Sequence, residues 1–160
     1  MRARLGFCRA ARTIWRIARR YSFETIMENL RNKSVLVVDD DPGMLRAMMK
    51  VLAKEGMQVT GLSDPTAVVT TLAESEPRFD LVITDLRMPT FSGRGVLALA
   101  SALPKLPVII ITAFGGPQVE AQALQLGAFA FLEKPVAAAE LVDVVKRAIE
   151  ASPSSGSVAG

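Results

Sequence analysis

Five short, largely apolar runs punctuate the chain after its first thirty or so residues. They are Val35-Leu36-Val37-Val38, Met57 to Leu62, Asp80 to Thr84, Val108 to Thr112 and Ala128 to Leu132. Helical signals separate them. Asp41 before Pro42 is a cap-and-proline start, and Gly56 supplies the stop. Asp64-Pro65 repeats that start for a second helix to about Ser75. Further helices are predicted from Gly93 to Leu103, from Pro117 to Leu126 with Gly127 ending it, and from Ala137 to Ala151. In the last of these, Leu141, Val144, Val145 and Ala148 share one face. Strand and helix thus alternate five times, which predicts an α/β fold: a doubly wound parallel sheet with helices on both faces and right-handed connections.

The strand ends carry the chemistry. The first apolar run ends in Asp39-Asp40-Asp41 and the third in Asp85. The fourth ends in Thr112-Ala113, and the fifth leads through Glu133 to Lys134-Pro135. In an open parallel sheet, these ends border the crevice where ligands bind. If the first and third strands are neighbours, Asp39, Asp40 and Asp85 converge. Carboxylates about 5 Å apart repel by roughly 3 kcal/mol per pair at an effective dielectric near 20. An all-oxygen set of that kind calls for a hard cation such as Mg²⁺. Asp41 needs no such role, because a cap directly before Pro42 accounts for it.

Four pieces in order, Val-Val-Asp39-Asp40-Asp41-Pro42, Asp85-Leu-Arg-Met-Pro89-Thr-Phe-Ser-Gly93, Ile-Thr112-Ala113 and Glu-Lys134-Pro135, form a specific pattern. Residues 34 to 150 resemble the receiver domain of bacterial two-component response regulators. The resemblance implies a flavodoxin-like five-stranded sheet of order 2-1-3-4-5 with five helices. It implies Asp85 as phosphoacceptor, and Asp40, Asp85 and the Arg87 carbonyl as direct Mg²⁺ ligands, with Asp39 holding a metal-bound water. Thr112 would donate its hydroxyl to the phosphoryl group, and Lys134 would place a positive charge on it. Thr112 and Phe131 would form the switch, and the Lys134–Pro135 bond would be cis. Phe has no phenol, so that switch would work by packing. Phe129, by contrast, reads as a plain core aromatic. Arg87 and Phe114, two positions after Asp85 and Thr112, would flank the approach of water and influence a slow self-dephosphorylation.

Composition narrows the alternatives. Half of the 160 residues are hydrophobic and 22% are charged, as in an ordinary globular protein. There is no histidine, which excludes an internal phosphohistidine donor and any Ser-His-Asp or Cys-His chemistry. Any kinase must then be a separate protein, and the resemblance implies a histidine kinase or histidine phosphotransfer protein as the partner. The single cysteine, Cys8, allows no internal disulfide and fits a reducing cytoplasm. Gly93-Arg94-Gly95 lacks the third glycine of a dinucleotide loop. A haloacid-dehalogenase-type phosphatase would want a second Asp where Arg87 stands.

Charge divides the chain. Residues 1–33 carry nine Lys or Arg against two Glu, and residues 34–160 carry ten against fourteen acids, so the two parts are +7 and −4. Within the leader, Phe7, Ala10, Ala11, Ile14, Ile17, Ala18 and Tyr21 fall within roughly 120° of a helical wheel, opposite five arginines. Residues 7–21 would suit an anionic membrane or an acidic partner. The other reading is a disordered or over-long leader ahead of a start at Met27. The expected organisation is a basic leader at 1–33, a receiver domain at 34–151 and a flexible tail at 152–160.

The expected function is that of a phosphorylation-activated signalling switch rather than an enzyme, with a protein-interaction face over residues 117–149. A phosphorylation-dependent homodimer is compatible with it, and the receiver is not expected to bind nucleic acid directly. Two alternatives stand beside it: a receiver cut from a longer DNA-binding regulator, and a phosphorylation-independent scaffold of the same fold.

Overall fold

In a computed structural model of the chain, residues 30–74, 79–88, 93–102 and 106–152 are described here. The leader up to residue 29 and the tail from residue 153 lie outside the described residues. Five parallel strands form one sheet: β1 (Ser34–Val38), β2 (Gln58–Leu62), β3 (Leu81–Thr84), β4 (Val108–Thr112) and β5 (Ala130–Glu133). Their order is β2-β1-β3-β4-β5, as the resemblance implied. The helices are α1 (Pro42–Lys54), α2 (Val68–Glu74), α3 (Gly93–Ser101), α4 (Pro117–Gln125) and α5 (Ala138–Ala151), with a 3₁₀ turn at Pro65–Ala67 leading into α2.

The apolar runs are continuous because β1, β3 and β4 are buried on both faces. Their alternation divides the core in two. Val35, Val37, Leu81, Ile83, Ile109 and Ile111 pack with Leu45, Met48 and Leu52 of α1 and with Leu141, Val144, Val145 and Ala148 of α5. Leu36, Val38, Val82, Val108 and Ile110 point the other way, onto Val68, Val96, Leu97 and Ala123 from α2, α3 and α4. Leu30, four residues ahead of β1, is buried in the first of these cores. Two residues further on, Asn32 N donates to Gly56 O.

The caps explain where the elements stop. The Asp41 carboxylate accepts from the amides of Gly43 and Met44, as expected of the cap. Gly56 and Gly127 sit at φ 86° and 102° and end α1 and α4 in the same way. Gly56 N bonds Ala53 O and Met57 N bonds Leu52 O, while Gly127 N bonds Leu124 O and Ala128 N bonds Ala123 O. This paired pattern is a Schellman motif, which needs a left-handed residue where each glycine stands. It also accounts for two differences from the expected strands. The amides of Met57 and Ala128 turn back to their helices, so neither joins a strand: β2 begins at Gln58, and β5 begins at Ala130, after Phe129 N has reached Val108 O. Phe129 is corrected by the same geometry. It precedes β5 and is 38% exposed, so it is no core aromatic. Among the described residues, no helix is long and apolar enough to cross a membrane.

Candidate phosphoryl-acceptor site

Strand order decides what meets at the carboxyl edge of the sheet. β1 lies between β2 and β3, with Val38 opposite Thr84, so the residues that follow these two strands emerge side by side. Asp85 N donates to Val38 O, which ties the two exits together. Asp39 and Asp85 are buried and Asp40 is exposed. Each of the three offers one carboxylate oxygen, and these oxygens all lie within 4.8 Å of one another.

Lys134 enters from the far edge strand. Lys134 N donates to Thr112 O at 2.8 Å, so the end of β5 is fastened to the end of β4. Its ammonium donates to Asp39 Oδ2 at 2.7 Å and to Asp85 Oδ2 at 2.8 Å. Burial pushes that ammonium's pKa down, but the hydrogen bonds and charges of Asp39 and Asp85 outweigh it. The net effect holds Lys134 above its ordinary value of 10.5. One cation therefore spans two carboxylates that would otherwise repel each other. The Lys134–Pro135 peptide is cis.

The other oxygens are also committed. Asp39 Oδ1 accepts from Asp41 N, and Asp85 Oδ1 accepts from Arg87 N. Asp40 is exposed and accepts no hydrogen bond from the described residues, so among them its carboxylate is open to meet a ligand. An exposed carboxylate beside two buried ones, all hard oxygen donors, fits Mg²⁺, which takes few protein ligands and keeps several waters. Asp41, held by its cap bonds, stands apart from this cluster.

Thr112 is fully buried at the end of β4, and its Oγ1 accepts from Phe114 N at 3.2 Å. A hydroxyl accepting in this way still has its proton to donate. Phe131 lies in β5 opposite Ile110 and is half-buried against the core under α3 and α4. Arg87 is exposed, and its guanidinium stacks over the Phe114 ring. Reading the chain by motif had given these two residues separate places beside the site and missed that they touch. Their common offset of two residues past Asp85 and Thr112 was the available signal.

A model of the response regulator receiver domain matches residues 35–146. The chain belongs to that family. The receiver is 38% identical over 117 residues to the C4-dicarboxylate transport transcriptional regulatory protein DctD of Pseudomonas aeruginosa, covering 72% of this chain and 25% of that protein. It is 37% identical over 116 residues to the DNA-binding transcriptional regulator NtrC of Salmonella typhimurium, covering 72% and 24%. The chain thus spans about a quarter of the length of these relatives. A response regulator receiver domain protein from Clostridium thermocellum shares the fold with a TM-score of 0.68 and 33% identity, over 74% of this chain and 94% of that one. The receiver's role is accordingly that of a signal transducer in two-component systems.

Proposed function

We propose that this receiver takes a phosphoryl group onto Asp85 from the phosphohistidine of a partner kinase or phosphotransfer protein in the cytoplasm. One observation carries the reading: the Lys134 ammonium touches both Asp39 and Asp85 beside a third carboxylate, Asp40. An Asp85 oxygen attacks phosphorus, the phosphorus–nitrogen bond breaks, and its electron pair returns to the donor imidazole. Lys134 and the Thr112 hydroxyl then hold the transferred group by charge-assisted bonds. Asp40, Asp85 and the Arg87 carbonyl would hold Mg²⁺ directly, with Asp39 acting through water. The ion supplies neutralisation of the charge that builds on the phosphoryl oxygens. Phe131 would follow Thr112 and pass the change to the face of residues 117–149, where a downstream protein or a second copy docks. The acyl phosphate would then hydrolyse slowly.

The test is labelling with a small phosphodonor and Mg²⁺, or beryllofluoride binding in its place. The wild type should respond, and Asp85→Asn should lose both responses while keeping its fold. An unlabelled wild type with Mg²⁺ present would instead favour a scaffold that uses the same fold without phosphorylation.

The length of the relatives favours a second reading of the context. DctD and NtrC are regulators about four times longer than the matched segment. On that reading, Asp85 controls an output domain joined to the receiver rather than a separate partner. Neither reading changes the chemistry at Asp85.

A further inference from the structure

The helices return against the parallel strands, so they begin at the sheet edge that carries Asp85 and end at the opposite one. At that far edge each helix presents unsatisfied carbonyls and a partial negative charge, which Lys or Arg in the last turn balances. Only α1 has such a residue, Lys54, whereas α2, α3, α4 and α5 have none. Glu74 and Glu150 stand exposed at the ends of α2 and α5 and add to the negative charge. The same edge carries an apolar patch. Of the five exposed large apolar side chains among the described residues, Leu124, Leu126 and Phe129 fall in one short stretch, at 44%, 51% and 38%. This is the end of α4 and the approach to β5, and Phe129 N donates to Val108 O at the start of β4. The leader joins the receiver at this edge too. Leu30 is buried, Asn32 N donates to Gly56 O just past the end of α1, and Lys33 pairs with Asp80.

We propose that residues 7–21 fold back as an amphipathic helix over this edge of their own receiver, with the apolar face on Leu124, Leu126 and Phe129. The two surfaces match in charge and polarity. Residues 1–33 carry +7 against −4 for the rest, and Phe7, Ile14, Ile17 and Tyr21 share one helical face. Charge draws the arginines toward the helix ends and toward Glu74 and Glu150, over a Debye length of about 8 Å at physiological ionic strength. Burial of the three apolar side chains then seats the leader. The reach is sufficient. Three strand spacings separate β1 from β5, roughly 14 Å across the edge. Residues 22–29 span up to roughly 27 Å when extended, and residues 7–21 as a helix are about 22 Å long. A membrane would also take up the arginines, but it would not account for an apolar patch and missing last-turn cations at the edge where the leader arrives. The contact leaves Asp85 untouched, so it is independent of the phosphoacceptor reading.

Trp15, the single tryptophan of the chain, borders the apolar face of residues 7–21 and reports on its surroundings. The experiment is acrylamide quenching and emission of Trp15 in purified full chain, without lipid and over a range of protein concentrations. Wild type should show a shielded, blue-shifted Trp15 at every concentration, and the shielding should weaken as salt is raised. Ile14→Asp with Ile17→Asp, and separately Leu126→Ser with Phe129→Ser, should each abolish the shielding while circular dichroism keeps the receiver's signal. In the leader variant, the amides of residues 124–129 should also exchange faster than in wild type. Val69→Ser, at an exposed apolar side chain near the start of α2, should leave Trp15 as it is in wild type. A freely quenched Trp15 in wild type would overturn the proposal, as would shielding that survives Leu126→Ser with Phe129→Ser, an equal loss in Val69→Ser, or unchanged exchange at 124–129. Shielding that disappears on dilution would overturn it in favour of a second copy of the chain. Shielding that appears only with vesicles of phosphatidylserine and phosphatidylcholine would overturn it in favour of a membrane.

Discussion

Lys134 holds Asp39 and Asp85 at once, so its removal exposes how much the site depends on one cation. Lys134→Met would leave two buried carboxylates facing each other and a third beside them. At neutral pH we expect a loss of roughly 1.5 to 3 kcal/mol of stability, the range for hydrogen bonds to charged groups. Added Mg²⁺ should recover more stability in this variant than in wild type, which urea unfolding with and without the ion would show. Equal responses to Mg²⁺ would mean that the carboxylates do not share one charge problem. The acid pair also makes a prediction at this scale. Asp39 has both oxygens engaged, whereas Asp40 accepts no hydrogen bond from the described residues. Titration calorimetry should therefore find Mg²⁺ affinity lowered more by Asp40→Ala than by Asp39→Ala, with Asp41→Ala near wild type. A larger effect at Asp41 would show that the acid register is misplaced.

At the scale of elements, the cap of α1 makes stability depend on pH in a defined direction. Hydrogen bonds from the amides of Met44 and Gly43 hold the Asp41 carboxyl below its ordinary 3.8. A carboxyl whose folded pKa is depressed contributes stability above its unfolded value and loses that contribution as pH falls through the folded one. Wild type should thus be more stable than Asp41→Ala at neutral pH, and the gap should close well below pH 3.8. Urea midpoints at the two pH values check this, and a gap that widened in acid would reverse the argument. The caps were legible in the sequence, since Asp-Pro starts and glycine stops act within a few residues. The strand starts after Gly56 and Gly127 were not, because they depend on which carbonyl each following amide reaches.

Across the whole molecule, the sheet separates two cores. Phe131 packs in the core with Val119 and Ala123 of α4, whereas α5 covers the other face, so on the proposed switch a change at Thr112 or Phe131 would reach residues 117–149 first through α4. A switch from 1:99 to 99:1 needs about 5.5 kcal/mol of differential interaction with the phosphoryl group. Contacts from Lys134, Thr112 and a bound cation are of the right size in combination. Hydrogen exchange with and without beryllofluoride should therefore change protection across Pro117 to Ile149. A response confined to the loops of Asp39, Asp40 and Asp85 would make Phe131 an ordinary core residue.

By itself the sequence determined the elements and the kinds of groups at their ends. Apolar runs such as Val108-Ile109-Ile110-Ile111 become buried strands whatever their neighbours, and polar residues directly after them emerge at one edge of a parallel sheet. Only the tertiary structure decided which of those ends touch. Placing β1 beside β3 brought Asp39 and Asp40 to Asp85, and β5 carried Lys134 to a carboxylate 95 residues away in the chain. It also stacked Arg87 on Phe114 and left Phe129 at the surface, neither of which any local pattern encodes. The physical reason is range. Caps, turns and hydrophobic period act over a few residues, whereas strand order and side-chain meetings come from packing both faces of the sheet at once.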